Sequence, residues 1–186
     1  MDTAESSEQV VLVDEHGEPI GVADKATVHH DNTPLHLAFS CHVINSSGDV
    51  LVTRRALGKK TWPGVWTNAV CGHPAPGEDM VDAIARRMDH EIGINVDGIQ
   101  PTIPNFRYRA VDASGVVENE VCPVYVAHSS STPKPRADEV CEWKWVSPEA
   151  LVQSVQATPF AFSPWLVLQI EQWPSNYREL SDTSVR

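Results

Sequence analysis

The sequence predicts an α+β fold formed by a single domain. Its 186 residues suffice for one compact domain with a sizeable core, because such domains usually have roughly 100 to 200 residues. Segments with strand patterns dominate the middle of the chain, and segments with helical patterns follow them. We expect one domain over residues 1–186, with a core from about residue 10 to residue 173 and short polar tails.

The composition disfavours two classes of partner. The formal net charge is −11, and the average field of such a protein repels other polyanions. We therefore expect no nucleic acid and no membrane as a partner. The opening segment "MDTAESSEQVVLV" has no positive charge before an apolar run, and nowhere do about 18 apolar residues follow one another. The sequence thus predicts a soluble, cytoplasmic protein.

The cysteines are too widely spaced for the dense disulfide framework of small secreted domains. We expect free thiols at Cys41, Cys71, Cys122 and Cys141. Cys71 stands one residue from His73 in "TNAVCGHPAPGED". That spacing suits a pair of metal ligands, a nucleophile beside a base, or the end of a buried strand. A structural zinc is disfavoured because no second cysteine pair lies nearby.

The first strand pattern is "LHLAFSCHVI", where apolar residues alternate with a second face that begins at His36. We expect a half-buried strand that presents His36 away from its apolar side. The segment "NSSGD" is typical of a turn, and "VLVTRR" then completes a hairpin. Beyond it, "TRRALGKK" concentrates four of the 14 basic residues. This basic segment is compatible with a solvated hairpin end and with an anion site. Its cations are Arg54, Arg55, Lys59 and Lys60.

A helix is predicted from Glu78 to Ile92, with an acidic first turn that suits the helix dipole. Arg87 and Glu91 stand one turn apart beside the apolar stripe. The stripe is formed by Val81, Ile84, Ala85, Met88 and Ile92.

Three further strands are predicted at "NFRYRAV", "VVENEVCPVYVA" and "CEWKWV", the first two separated by the turn "DASG". The segment "HSSSTPKPRADE" indicates an exposed loop. Two helices follow at "SPEALVQSV" and "SPWLVLQIEQW", each with a capping Ser before Pro at the first helical position.

Two carboxylates of the second strand, Glu118 and Glu120, fall on the same face, while Asn119 points the other way. Like charges so close raise each other's proton affinity unless a cation lies between them. The pattern is equally compatible with an exposed acidic edge strand.

The run from Gly72 to Ile94, "GHPAPGEDMVDAIARRMDHEIGI", resembles the Nudix box. Two glutamate positions of that box are occupied by Arg87 and His90. Nudix hydrolases use those glutamates to gather the metal ions that activate water at a diphosphate, so the departures count against a hydrolase. The matching positions are Gly72, Glu78, Arg86, Met88, Glu91, Gly93 and Ile94.

With "LHLAFS", "VTRRALGKKTWPGVWTNAVCGHP", "FRYRAVDASGVVENEVCPV" and "ATPFAFSPW", the chain resembles the type I isopentenyl-diphosphate isomerase family from about Val10 to Trp173. The resemblance implies a Nudix-like α/β/α sandwich with a mixed sheet. It also implies interconversion of isopentenyl diphosphate and dimethylallyl diphosphate by addition and removal of a proton. The alternatives are a Nudix diphosphohydrolase and an inactive Nudix-like binding module. We expect a monomer or weak homodimer.

The resemblance also implies roles for individual residues. Cys71 and Glu120 would transfer protons on opposite faces of the substrate, in an order that the sequence leaves open. Tyr108 would hydrogen-bond to Glu120, and the ring of Trp165 would either stabilise a carbocation or serve only as core. Nearby cations would favour the ionised form of Cys71.

The remaining implied roles concern ions and phosphates. A first divalent ion, Mn²⁺, Zn²⁺ or Mg²⁺, would be held by His29, His36, His73, Glu118 and Glu120. A second ion, Mg²⁺ on the substrate's diphosphate, would be held by Glu91 and the backbone carbonyl of Cys71. The diphosphate itself would contact Lys25, Arg55, Lys59 and Arg87.

Overall fold

The structure, a computed structural model, describes residues 8–173 and contains twelve strands and four α-helices within them. The strands are β1 (Gln9–Val13), β2 (Pro19–Asp24), β3 (His36–Leu37), β4 (Phe39–Ile44), β5 (Val50–Arg55), β6 (Trp66–Thr67), β7 (Val70–Gly72), β8 (Asp97–Ile103), β9 (Arg107–Val111), β10 (Val117–Val121), β11 (Val124–His128) and β12 (Val140–Val146). The helices are α1 (Lys25–Val28), α2 (Met80–Ile92), α3 (Pro148–Ala157) and α4 (Pro164–Glu171).

The strands form two mixed sheets. One sheet has the order β2-β1-β3-β10-β9, and the other has the order β12-β5-β4-β11-β8, with β6 beside β5 and β7 beside β4. One hydrophobic cluster packs residues of β4 against α2, and a second packs residues of β4, β5 and β11 against α3 and α4. Helices therefore cover both faces of the larger sheet, which confirms the α+β class and the α/β/α sandwich.

Two predicted strands each divide between the sheets. "LHLAFSCHVI" separates at Ala38 into β3 and β4, and "VVENEVCPVYVA" separates at Cys122 and Pro123 into β10 and β11. Proline cannot donate a ladder hydrogen bond, which explains the second break. The prediction of a half-buried strand was wrong, because all six residues of β4 are buried between the two helical layers.

Helix α2 buries Ile84, Met88 and Ile92 of the predicted stripe, but not its other two residues. Val81, in the first turn, is 43% exposed, and Ala85 is exposed as well. Arg87 and Glu91 are buried instead. The two charged side chains form an ion pair, which compensates part of the cost of removing them from water.

Several local predictions are confirmed. Ser147 accepts a hydrogen bond from the Ala150 N–H and Ser163 accepts one from the Leu166 N–H, with proline at the start of both helices. Gly115 N–H donates to Asp112 in the predicted "DASG" turn. All four cysteines are free thiols. No helix within residues 8–173 is long and apolar enough to span a lipid bilayer.

Candidate active site

A cavity of about 440 Å³ lies where the two sheets and α2 meet. Strand β10 contributes Glu118 and Glu120 to its wall, and helix α4 contributes Trp165. The cavity is also lined by most of the other residues to which the sequence assigned a role: Lys25, His29, Arg55, Lys59, Cys71, His73, Arg87, Glu91 and Tyr108.

Imidazole and carboxylate groups from four segments converge beside this cavity. One ligand atom from each residue lies within 4.8 Å of those from the others. The convergence follows from strand pairing, since β3 runs parallel to β10 with His36 opposite Glu120. His73 directly follows β7, and its Nε2 lies 3.1 Å from Glu120 Oε1. The four residues are His29, His36, His73 and Glu120.

Glu118 extends this group toward His29. Its Oε2 lies 3.1 Å from His29 Nε2, yet neither buried atom has a hydrogen-bond partner within the described residues. Thr61 Oγ1 donates to the other carboxylate oxygen at 2.9 Å. Two unpartnered, buried ligand atoms facing each other fit a bound cation, because an uncompensated polar atom is costly to bury. We call the four residues above, together with Glu118, the histidine–glutamate cluster.

The predicted alternative of an exposed acidic edge strand does not apply. Strand β10 lies between β3 and β9, and Glu118 and Glu120 are only 8% and 5% exposed. Asn119 points the other way, as predicted, and donates to the carbonyl of Thr33. Two buried carboxylates on one strand face therefore require a positive neighbour.

The residues of the histidine–glutamate cluster shift one another's pKa values. Burial acts to raise the pKa of Glu120, but its hydrogen bonds with His36 and His73 lower that pKa well below the ordinary value. Burial also acts to lower the pKa of His36, and its hydrogen bond with Glu120 reverses this, so the pKa of His36 is raised. For His73, burial dominates and lowers the pKa. Glu120 is thus ionised and able to act as a metal ligand.

A hydrogen bond to a backbone carbonyl orients the imidazole of His36. His36 Nδ1 lies 2.9 Å from the carbonyl oxygen of Pro34, which can only accept a hydrogen bond. The proton of a neutral His36 ring therefore belongs on Nδ1. Its Nε2 then presents a lone pair to the cluster, an arrangement typical of metal-binding histidines.

Cys71 contacts a different set of atoms from His73. Its Sγ lies 3.2 Å from Ser40 Oγ and 3.2 Å from Asn68 Oδ1. Burial raises the pKa of the thiol to about 12, and the hydrogen bonds with Ser40 and Asn68 offset only part of this effect. The charge of Arg55 acts to lower this pKa, in the expected direction, but burial outweighs it.

The metal-ligating group among residues 8–173 includes His73 but not Cys71. The alternative in which Cys71 and His73 share one zinc ion is therefore not supported by the geometry.

Tyr108 lies opposite Glu120 on the neighbouring strand β9. Within the described residues no hydrogen bond joins its hydroxyl to Glu120, in contrast to the expectation. Burial, reinforced by the charges of Glu120 and Glu118, raises the pKa of Tyr108 well above its ordinary value. Tyr108 is thus a neutral hydroxyl in the cavity wall, with its ring 5.8 Å from that of Trp165.

Trp165 belongs to both the core and the cavity wall. It is 3% exposed and packs in the cluster that contains α4. Its Nε1–H donates to Thr67 Oγ1 at 2.9 Å. The guanidinium carbon of Arg55 lies 5.3 Å from the ring centroid, so the indole already interacts with a cation.

Three of the cations that line the cavity are paired with carboxylates, whereas Arg55 donates to backbone carbonyls. Lys25 Nζ lies 2.6 Å from Glu8 Oε2. Lys59 pairs with Glu139, and Arg87 pairs with Glu91. An anion that enters the cavity would therefore exchange places with side-chain carboxylates.

The basic segment divides between the cavity and the surface. Arg55, Lys59 and Lys60 line the cavity, whereas Arg54 donates to the carbonyl of Gly64 and faces Glu142. The position of the basic segment therefore favours an anion site over a solvated hairpin end.

Sequence reasoning missed several residues that support these groups. Glu139 ends a polar loop, and no local pattern distinguishes it from the other exposed charges there. No sequence pattern around Thr61 predicts its contact with Glu118 either. Asn68 could have been identified from the sequence, because it stands three residues before Cys71 in the motif "TNAVCGHP".

The fold defines a Nudix-type protein, and its cavity carries residues that could hold a metal ion. The NUDIX domain model matches residues 34–166. The DR0079 protein of Deinococcus radiodurans has the same fold, with a TM-score of 0.70 and 19% identity, covering 89% of this chain and 99% of that one.

Two relatives are closer in sequence. The isopentenyl-diphosphate Delta-isomerase of Leifsonia xyli is 62% identical over 165 residues, which cover 88% of this chain and 89% of the relative. That of Clavibacter sepedonicus is 58% identical over 164 residues, which cover 88% of this chain and 86% of the relative. The chain belongs to the isopentenyl-diphosphate Delta-isomerase family within the NUDIX fold.

Proposed function

We propose that this chain interconverts isopentenyl diphosphate and dimethylallyl diphosphate, and that Cys71 and Glu120 carry the protons. The observation that carries the proposal is that both groups line one cavity together with the histidine–glutamate cluster. Family membership at 62% identity supports the same reaction.

The chemistry explains why two proton-transfer groups are needed. An unactivated alkene is a very weak base, so one group must protonate its terminal carbon while another accepts a proton from the allylic carbon. Cys71 is a neutral thiol and Glu120 is an ionised carboxylate in this structure. One side chain can thus hold a proton while the other is free to receive one.

A divalent ion bound by His29, His36, His73, Glu118 and Glu120 would supply positive charge that makes a proton on Glu120 more acidic. The unpartnered atoms of His29 and Glu118 support this position. The mixture of nitrogen and oxygen ligands admits Mn²⁺ or Zn²⁺ as well as Mg²⁺.

The substrate's diphosphate would lie against Lys25, Arg55, Lys59 and Arg87, of which all but Arg55 are paired with carboxylates. A second ion, Mg²⁺, would join it there through Glu91 and the carbonyl of Cys71. Glu91 pairs with Arg87 in the substrate-free chain, so binding requires Glu91 to exchange one cation for another. Guanidinium groups suit phosphate oxygens because their donors form a planar fork.

The carbocation formed by protonation must be stabilised and kept from water. Trp165 and Tyr108 provide aromatic walls with exposures of 3% and 7%. A desolvated indole face stabilises a cation by about 2 kcal/mol. Tyr108 would act as a neutral hydroxyl beside Glu120.

We also propose that the chain is one domain over residues 1–186 that works in the cytoplasm as a monomer or weak homodimer. Its partner would be the small isoprenoid diphosphate, with neither nucleic acid nor a membrane involved.

A single assay tests the reaction against the alternatives. Purified chain with Mg²⁺ and Mn²⁺ is incubated with isopentenyl diphosphate in heavy water. We expect dimethylallyl diphosphate that carries solvent deuterium, because the two groups exchange protons with solvent between turnovers. Release of inorganic phosphate would indicate the hydrolase instead, and an unchanged substrate would indicate the binding module.

A further inference from the structure

A chain of buried polar side chains leads from Cys71 away from the cavity. Ser40 Oγ lies 3.2 Å from Cys71 Sγ. Gln169 Nε2 donates to Ser40 Oγ at 2.9 Å, and Gln169 Oε1 lies 2.9 Å from His42 Nε2. Ser40, His42 and Gln169 are at most 1% exposed, and none of them lines the cavity. Burying such groups is unfavourable, so their presence behind Cys71 requires an explanation.

The hydrogen bonds along this series of side chains are all donated toward Cys71. Gln169 Oε1 can only accept, so His42 must donate from Nε2. The Gln169 amide group then faces Ser40 and donates to its oxygen. Because that donation occupies Ser40 Oγ as an acceptor, its own proton is free to point toward sulfur. The buried Nδ1 of His42 has no partner in the described residues, as expected for a ring protonated on Nε2.

Ser40 has two sulfur atoms within reach, and Cys71 is the nearer. Ser40 Oγ lies 3.2 Å from Cys71 Sγ and 3.5 Å from Cys122 Sγ. On the other side of Cys71, Asn68 is fixed because its amide group donates to the carbonyls of Cys41 and Val70. Asn68 Oδ1 therefore faces the thiol and accepts its proton in a hydrogen bond.

We propose that Ser40, held by Gln169 and His42, is a positioning residue that fixes how the Cys71 sulfur is oriented in the cavity. The proposal rests on the proposed function, in which Cys71 transfers a proton. The thiol donates its proton to Asn68 Oδ1 and accepts a hydrogen bond from the Ser40 hydroxyl on a sulfur lone pair.

Ser40→Ala tests the proposal through kinetics. We expect kcat to fall about tenfold, the worth of one such hydrogen bond, while KM stays within about twofold because Ser40 does not contact the cavity. Bound metal should stay close to that of the parent chain, whereas the thermal midpoint should fall because the buried Gln169 amide loses its acceptor. The matched control is Ser129→Ala, another buried serine, whose Oγ donates to the carbonyl of Asn95 at 2.7 Å far along the chain. A kcat loss in Ser40→Ala no larger than in Ser129→Ala overturns the proposal.

An infrared measurement separates this proposal from the reaction itself. The S–H stretch of Cys71 is isolated as the difference between the parent chain and Cys71→Ala. We expect Ser40→Ala to shift that band, and Gln169→Met to shift it in the same sense, because methionine removes the donor that orients Ser40. Gln169→Met also serves if Ser40→Ala does not fold. An unshifted band overturns the positioning role even in an active enzyme. A parent chain that does not isomerise the substrate would refute the proposed function, whereas the band shift would still support the positioning of Cys71.

Discussion

Cys71 and His73 stand two positions apart and yet contact different groups. Strand β7 ends at Gly72, so the backbone that carries His73 is free to turn toward the histidine–glutamate cluster. A Cβ at position 72 would lie 3.0 Å from Phe39 Cζ and 3.1 Å from Arg87 Cγ, so any larger residue would require these side chains to shift. Cys71 remains in the strand, opposite Ser40 on β4. Under the proposed function, one short motif would therefore supply a thiol to the substrate and an imidazole to a metal.

Cys71→Ser separates these two roles. We expect the variant to fold and to bind metal like the parent chain, but to lose isomerase activity by about three orders of magnitude or more. A serine hydroxyl is far less acidic than a thiol, whose ordinary pKa is about 8.5, and cannot exchange a proton readily near neutral pH. Activity and metal content, measured on the same preparation, decide the outcome.

His73→Ala is the matched control for Cys71→Ser and should show the reverse order of effects. Metal content falls first, and activity falls as a consequence. Equal metal loss in both variants would make the Cys71 thiol a ligand and would remove it from the proton path.

At the scale of single elements, helix α2 depends on how it ends. Gly93 has a φ of 67° and donates its N–H to the carbonyls of Met88 and Asp89. A Cβ at this position would lie 2.7 Å from the Lys134 carbonyl oxygen. Both the left-handed backbone and the close approach of another backbone segment therefore require glycine.

Gly93→Ala should lower the free energy of unfolding by more than about 2 kcal/mol, because the left-handed conformation alone costs roughly 1 to 2 kcal/mol and the contact with Lys134 adds to it. Gly77→Ala is the control. Gly77 also has a positive φ, of 77°, but a Cβ there would meet nothing within 4 Å. Urea denaturation of both variants gives the comparison, and equal losses would show that the Lys134 segment moves aside at no cost.

The elements also show which parts of the fold a single sequence predicts. Helices α3 and α4 were predicted because Ser147 and Ser163 each precede a proline, a strong local signal. Strands β6 and β7 were missed because two or three residues are too few for an alternating pattern. Strand β8 was missed because "DGIQPTI" contains glycine and proline.

Long-range assembly explains what local patterns missed at the site. His29, which follows α1, and Glu120 on β10 come from distant segments, and nothing near either residue in sequence encodes their contact. Their association was predicted only through the family resemblance. The pairing of Lys59 with Glu139 was not predicted at all, because it depends on how a polar loop folds back over the cavity.

At the scale of the whole molecule, the histidine–glutamate cluster spans the junction of the two sheets. His36, Glu118 and Glu120 belong to the five-stranded sheet. His73 directly follows β7 of the larger sheet, and His29 follows α1. An ion bound by all five residues would join segments of the two sheets, which also meet where β3 continues into β4, where β10 continues into β11, and in a hydrophobic cluster. Metal binding should therefore stabilise the arrangement of the sheets as well as the site.

Removing the metal should consequently destabilise the entire chain. A ligand that binds only the folded state stabilises it by about 2.7 kcal/mol when its concentration is 100 times its Kd. We expect the thermal midpoint to rise as Mn²⁺ is added to chelator-treated protein, and His73→Ala to abolish most of that rise. His90→Ala, which changes an exposed histidine on α2, should retain the full rise.

Hydrogen exchange should further show that metal protects β3 and β10 more strongly than α3, since α3 contributes no residue to the cluster. Equal protection of all three elements would mean that the ion stabilises the fold without specifically joining its two sheets.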